Sequence, residues 1–554
     1  MKALTLSDTR ILRYTVDAIK IAFQFFFKLV LASNLSTGAN LGSLFGSYIE
    51  NTTNNTNELN LAPCSYFIAV ENKYYNAECG FLSVPENRNK IGSPLIEIPI
   101  TKILSESPSD LEPVFWFQGG PGSKNNFNYP VDGLISNHDF VLVGYRGAEG
   151  SSLLECPELR DTLSKSKKPF LSEVSLNSYS LSTEACAKRL TSEGFDIEGV
   201  SLNQTVEDFE YARNALGYKK INLYGNSFGT RLQMIYQWRF PQKVNRSIMV
   251  GVNPPGRFVW SQQDTQDLIL QYSSLCNESP FCRARTSNLV STMWAVSKNI
   301  PDSWMGISID SDLINLVTFM GLMESASTPN GSLSLSAPSV LDMWLDASEG
   351  DFSAMAFVSL IAPFIIADMH QWGHSIAMGA SSLDYNQTER DYKDEFLPKN
   401  TIIGAPFSQL FHSLSLGWST NSGAAAGSNA AIKSDVETLL ISGQLDGATP
   451  MRYARDELLP MLSNGHHVIL QGQGHTETFW NSQTNARSTL LNSFFSSGLV
   501  DDTLYQDQII EFDISFGFGE VAVFLLIALF VLCGVMILVI TKLYLKCQKR
   551  SFRN

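Results

Sequence analysis

Ile221-Asn222-Leu223-Tyr224-Gly225-Asn226-Ser227-Phe228-Gly229-Thr230 is the stretch on which the reading of this chain turns. INLYG is a short apolar run of the kind that forms a buried strand, and Phe228 to Trp238 continues with helical patterning. Between them Gly225, Ser227 and Gly229 fit G-x-S-x-G, the pattern of a sharp strand-to-helix turn that lifts a serine clear of the backbone. Such a turn is strained, and side chains flanking the serine would collide in it, so glycine suits both positions. Ser227 is therefore a candidate nucleophile.

Outward from the turn, strands and helices alternate. VFWFQ (Val114 to Gln118) and FVLVGYR (Phe140 to Arg146) read as buried strands, Leu202 to Tyr218 as a helix, and SIMVGV (Ser247 to Val252) as the next strand. After Pro254-Pro255-Gly256 the alternation stops for about 180 residues rich in Ser, Met and Trp, which close on the small-residue linker Asn421 to Ala431. It then resumes with TLLISG (Thr438 to Gly443), a helix from Pro450 to Leu462, VILQG (Val468 to Gly472) and a last helix to about Phe495. The pattern predicts an α/β fold: a mostly parallel sheet with helices on both faces, completed from both sides of an inserted, mainly helical cap. The expected divisions are 34–255 for the first part of the core, 256–435 for the cap and 436–505 for the second part of the core.

A serine hydroxyl needs an imidazole base, itself oriented by a carboxylate. The chain has seven histidines. His138 precedes the serine, His370, His374 and His412 fall in the insertion, and His466 and His467 begin a strand. His475 follows a strand, in Gly472-Gln473-Gly474-His475, where it could swing over the sheet edge. Asp446 follows LLISGQL and supplies the acid in the chain order serine, aspartate, histidine. The oxyanion donors expected are the N–H of Phe228, directly after the nucleophile, and that of Gly120 in Gln118-Gly119-Gly120-Pro121-Gly122, with Gly119 as the alternative.

Together GGPG, VLVGYRGAEGSS (Val141 to Ser152), YGNSFGT (Tyr224 to Thr230), FPQKV (Phe240 to Val244), SGQLDGATP and GQGHTE resemble the α/β-hydrolase serine peptidases of the prolyl and tripeptidyl aminopeptidase group, including a TAP-like C-terminal segment. The resemblance covers the two core parts and implies the α/β-hydrolase fold, with hydrolysis of peptides from their N-termini through an acyl-enzyme. It departs at Gln118, where many relatives carry His; the main-chain donors are unaffected. It also implies cap acids that hold the substrate's free amine, for which Glu324, an acid within LVTFMGLMESAS, is the candidate. A carboxylic esterase or lipase of the same fold is the alternative enzyme. A non-catalytic adhesion or receptor ectodomain is the alternative of another class.

The ends of the chain place this core. Val521 to Ile540 carries no charge, and at 1.5 Å per residue its length matches the roughly 30 Å hydrocarbon layer of a bilayer. We expect a transmembrane helix at 521–541, preceded by a juxtamembrane linker at 506–520 and followed by a basic tail at 542–554 that the positive-inside rule assigns to the cytoplasm. Residues 1–33, with bases ahead of the apolar run Ile21 to Ala32, read as a signal peptide or signal anchor. The expected setting is a single-pass membrane protein of the secretory pathway, at the cell surface or in a vacuole- or lysosome-like compartment. Its catalytic domain then faces the lumen or the exterior. Disulfides are expected between Cys64 and Cys79, Cys156 and Cys186, and Cys276 and Cys282, pairing sequence neighbours. Glycosylation sequons begin at Asn34, Asn51, Asn54, Asn203, Asn245, Asn277, Asn330 and Asn386, all ahead of the proposed span. A net charge of −14 has the wrong sign for a nucleic-acid partner. Both ends are basic, so the part between them is more acidic still. With no zinc-type spacing or phosphate loop, no metal or cofactor is implied, and the sequence leaves the oligomeric state open.

Overall fold

Val114 to Phe117 and Phe140 to Val143 distribute their side chains with period two, as strands must. Phe115, Phe117, Val141 and Val143 enter one core, while Val114, Trp116, Phe140 and Leu142 enter another on the opposite face. An unbroken apolar run is stable only where both faces are covered, and each such side chain contributes about 1.5–3 kcal/mol on burial. The structure, a computed structural model, describes residues 59–107, 111–131, 133–166, 169–325, 335–382, 396, 400–418, 431–514, 517–528, 531 and 534.

Nine strands form one sheet: β1 (Ala62–Ile68), β2 (Lys73–Pro85), β3 (Leu95–Ile103), β4 (Val114–Phe117), β5 (Phe140–Val143), β6 (Ile221–Asn226), β7 (Val244–Val250), β8 (Glu437–Gly443) and β9 (Gly465–Leu470). Their spatial order is β1-β2-β3-β5-β4-β6-β7-β8-β9. From β5 to β9 every neighbouring pair is parallel. The three N-terminal strands add an antiparallel extension. β8 pairs directly with β7, so the strands on either side of the insertion are adjacent in space.

The helices named here are α1 (Pro157–Ser164), α2 (Glu173–Ser192), α3 (Leu202–Ala215), α4 (Phe228–Arg239), α5 (Gln262–Glu278), α6 (Ser311–Leu322), α7 (Ala337–Ser348), α8 (Ser353–Asp368), α9 (Trp372–Ser381), α10 (Pro406–Leu416), α11 (Thr484–Ser497) and α12 (Phe518–Ala528). α5 to α10 form a helical layer whose buried residues are continuous with one face of the sheet. Phe258, Trp260, Phe319, Phe407 and Phe411 are in edge-on and tilted contact at its centre. α1 and α2, which lie outside the insertion in sequence, also join this core through Leu159, Leu163, Tyr179 and Leu190. The helix expected from Pro450 to Leu462 is present as continuous helical turns over 451–461, π-helical at Tyr453–Leu458 and tightening to 3-10 at Leu459–Met461. Pro460 has no N–H to donate to an α-helical ladder, which suits the 3-10 geometry at this end.

Disulfides join Cys64 to Cys79 across β1 and β2, Cys156 to Cys186 between the start of α1 and α2, and Cys276 to Cys282 at the end of α5. At the C-terminus, Phe518, Ala522 and Leu525 of α12 are buried in the main core, while Val523, Phe524, Ile527 and Val531 are exposed. Among the described residues no single helix is long and apolar enough to cross a membrane. Most of the expected span 521–541 lies outside the described residues, as do the signal segment 1–33, the tail 542–554 and the sequons at Asn34, Asn51, Asn54, Asn330 and Asn386. Of the other sequons, Asn277 is exposed on the cap and Asn203 and Asn245 are half-buried, Asn245 donating its side-chain amide to Asn222.

Candidate active site

β4, β6, β8 and β9 run parallel, so the loops that follow them gather at one edge of the sheet, where open α/β sheets form their crevice. Ser227 sits between β6 and α4 at φ 50°, ψ −128°. For a residue with a Cβ that conformation costs on the order of 1–3 kcal/mol, held here by the packing of strand and helix. The flanking glycines have no freedom to be anything else. A Cβ on Gly225 would lie 2.6 Å from Gln233 Oε1, and one on Gly229 only 2.1 Å from the Phe117 carbonyl oxygen.

The loop after β9 carries His475, whose Nε2 is 2.8 Å from Ser227 Oγ. Its Nδ1 is 2.9 Å from Asp446 Oδ2, on the loop after β8. Asp446 is fully enclosed and the His475 side chain is 11% exposed. The carboxylate is fixed from several sides: Ala448 and Thr449 donate their N–H groups to Oδ1 at 2.8 and 2.7 Å, and the Thr449 hydroxyl donates to Oδ2 at 2.7 Å. With Nδ1–H directed at this carboxylate, Nε2 presents its lone pair to the serine hydroxyl. The serine, base and acid expected from the sequence are thus brought into one hydrogen-bonded line.

Two N–H groups were expected as oxyanion donors. Phe228 opens α4, so its N–H has no intrahelical acceptor and lies at the positive end of the helix. Gly120, at φ 137°, makes no hydrogen bond through its N–H among the described residues. Gly119, the alternative donor, is engaged: its N–H donates to Asn226 Oδ1 at 2.7 Å. That bond joins a loop and a strand end far apart in sequence, which is why spacing alone kept Gly119 as the alternative to Gly120.

Cap residues border the base. Met323, at the end of α6, accepts the His475 N–H through its carbonyl at 2.7 Å, and Glu324 Oε1 accepts the Thr476 N–H at 2.9 Å. Glu324 is therefore half-buried beside the base loop. Tyr272 of α5 is enclosed nearby, its phenol pushed well above the usual range by burial and, secondarily, by the charges of Glu324 and Asp446. The other histidines do other work. His138 Nδ1 is 2.8 Å from the Glu112 carbonyl, and burial holds His370 down to about 4 and His374 to about 3. Among the described residues no three His, Cys, Asp or Glu side chains converge as a metal site. Asn226, Thr449 and Met323 carry no signal in the sequence beyond adjacency to motifs, since their roles arise from contacts across the fold.

An α/β hydrolase fold family model matches residues 112–271, and a TAP-like protein model matches residues 405–506. The chain has the α/β-hydrolase fold, and its C-terminal part matches the TAP-like model. YuaR of Escherichia coli (strain K12), named as a hydrolase, is 27% identical over 294 residues, which cover 48% of this chain and 57% of that protein. The tripeptidyl aminopeptidase of Streptomyces lividans is 27% identical over 206 residues, covering 33% and 37% respectively. The matches thus span less than two thirds of either relative. Among solved structures, the 2-hydroxy-6-oxo-6-phenylhexa-2,4-dienoate hydrolase from Rhodococcus sp. strain RHA1 aligns with 76% of this hydrolase and 100% of its own chain, at 12% identity and a TM-score of 0.35.

Proposed function

We propose that this α/β-hydrolase is a serine aminopeptidase, releasing an N-terminal proline or a short N-terminal peptide. The observation that carries the reading is the line Ser227 Oγ to His475 Nε2, with His475 Nδ1 on Asp446. In this reading His475 takes the proton as Ser227 attacks the scissile carbonyl. The N–H groups of Phe228 and Gly120 stabilise the oxyanion. The imidazolium, steadied by Asp446, returns the proton to the leaving amine, and water then releases the acyl-enzyme by the same steps in reverse. Similarity to a tripeptidyl aminopeptidase and the TAP-like match favour a peptide amide over an ester. Glu324, half-buried beside the base loop, is the acid offered for the substrate's amine.

The compartment follows as a second part of the proposal. Three disulfides suit an oxidising environment, and the apolar run 521–540 ahead of a basic tail suits a single-pass anchor with the catalytic domain lumenal or extracellular.

The test compares wild type and Ser227→Ala on proline and tripeptide arylamides and on short acyl esters, with fluorophosphonate labelling of the same samples. Wild type is expected to hydrolyse arylamides and to label at Ser227; the variant should lose about 10⁴-fold or more in kcat while keeping its thermal transition. Retained turnover in Ser227→Ala removes the nucleophile assignment. Turnover confined to esters replaces the peptidase reading with an esterase, and a wild type that neither labels nor hydrolyses leaves a binding domain.

A further inference from the structure

The loop bearing Gly120 is gripped by the cap. Gly122 N–H donates to His374 Nδ1 at 3.0 Å, Gln371 N–H donates to the Gly122 carbonyl at 2.9 Å, and the Ser375 hydroxyl donates to the Pro121 carbonyl at 2.7 Å. All three cap residues lie at or just before the first turn of α9. From the core side, the Tyr145 hydroxyl donates to the Gln118 carbonyl at 2.9 Å, and Asn226 takes the Gly119 N–H. The rings of Tyr145 and His374 lie nearly parallel, 14° apart with centroids separated by 6.0 Å. One ring pair therefore fixes both ends of Gln118-Gly119-Gly120-Pro121-Gly122, and Gly120 is the residue between them whose N–H stays uncommitted among the described residues.

His374 can accept at Nδ1 only if its proton is on Nε2 and the ring is neutral. Its burial supports that form, since an enclosed imidazole resists a charge. A neutral acceptor with two fixed neighbours is a geometric device: it holds a peptide plane without adding charge near the oxyanion.

We propose that His374 is a positioning residue of the hydrolytic reaction, locking the Gly119–Gly122 loop so that the Gly120 N–H points at the oxyanion. The cap is then part of the catalytic apparatus as well as a cover for the substrate. The inference rests on the serine-hydrolase reading given above.

The experiment uses the full chain and three variants: His374→Leu, which fills the space without an acceptor; His374→Asn, whose amide oxygen can stand near Nδ1; and Ser375→Ala. Rates on a tripeptide arylamide are expressed per site titrated with fluorophosphonate, so that a smaller folded fraction does not lower kcat. Binding of a peptide aldehyde, which mimics the tetrahedral intermediate, is measured alongside. His374→Leu is expected to lower kcat by about 10- to 100-fold with KM within about twofold, and to weaken the aldehyde in proportion, because a displacement of about 1 Å at the reacting centre costs that much. His374→Asn should keep kcat within about threefold of wild type, the difference between the two showing that the acceptor matters rather than the volume.

An unchanged kcat in His374→Leu overturns the proposal, as does an equal fall in the Leu and Asn variants. A rise in KM with kcat intact also overturns it, since that pattern belongs to a substrate-binding role. Should His374→Leu show no thermal transition, Ser375→Ala decides: a kcat loss of about 3- to 10-fold at constant KM supports the clamp, and an unchanged kcat rejects it. A wild type that fails to label at Ser227 strikes the serine-hydrolase reading instead, so the two failures are told apart.

Discussion

Asp446 divides its two oxygens among four donors: the N–H groups of Ala448 and Thr449 on Oδ1, and the Thr449 hydroxyl and His475 on Oδ2. An asparagine there has one oxygen to offer. The two backbone donors cannot move away, so they claim that oxygen and the new NH₂ group faces His475 Nδ1. The imidazole must then carry its proton on Nε2, toward Ser227, where it cannot act as a base. Asp446→Asn is accordingly expected to lower kcat on a peptide arylamide by about 10⁴-fold with little change in thermal stability; a loss under tenfold would show that another group orients the base. Ser227, Asp446 and His475 were legible in the sequence because their chemistry restricts residue type and the chain has only seven histidines to choose among. In the sequence His374 is simply one of the cap histidines. Its partner, Gly122, lies 252 residues away, and a contact across that distance leaves no periodicity or spacing to read.

At the scale of elements, the parallel strands were readable for the reason they are stable: both faces are buried, so the runs are apolar without interruption. β1 to β3 were not, because one face of this antiparallel extension meets water. β2 alternates buried Tyr75, Ala77, Leu82 and Val84 with exposed Tyr74, Asn76, Phe81 and Ser83, a pattern weaker than a solid apolar run. α2 is hard to read in the sequence for a related cause: it is rich in Ser and Thr, with buried Tyr179, Cys186 and Leu190 spread among them. The cap helix α7 allows a test of electrostatics. Arg285 bridges Asp342, Asp346 and Glu349, so one cation faces three acids. Burial, followed by the charge of Asp346, pushes Asp342 up to about 6 despite its bond to Arg285, and Glu520 adds in the same direction; Asp346 is raised too. A carboxyl raised on folding binds its proton more tightly in the native state. Its stabilisation is present below the unfolded value near 4 and is lost as pH climbs through about 6. Between pH 4.5 and 7, Asp342→Asn should therefore gain about 1–2 kcal/mol in unfolding free energy relative to wild type. Urea melts of both proteins at the two pH values check this, and a constant difference between them would reject the electrostatic account.

For the whole molecule, the proposed anchor meets a catalytic domain that already holds its beginning. α12 buries Phe518, Ala522 and Leu525 in the main core while Val523, Phe524 and Ile527 of the same helix are exposed. If the run to Ile540 enters a bilayer, the full chain should stay in the membrane pellet after alkaline carbonate and enter solution only with detergent; release by carbonate alone would reject the span. The order of the sheet carries one more consequence, which concerns time. β8 docks beside β7, yet the insertion separates them in sequence, and Asp446 and His475 follow it. A chain is made from its N-terminus at about 5–20 residues per second, so Ser227 is synthesised well before the base and acid that would activate it. On the proposed mechanism the growing polypeptide thus passes through its own translation as a silent serine, gaining hydrolytic competence only when the last strands of the sheet arrive.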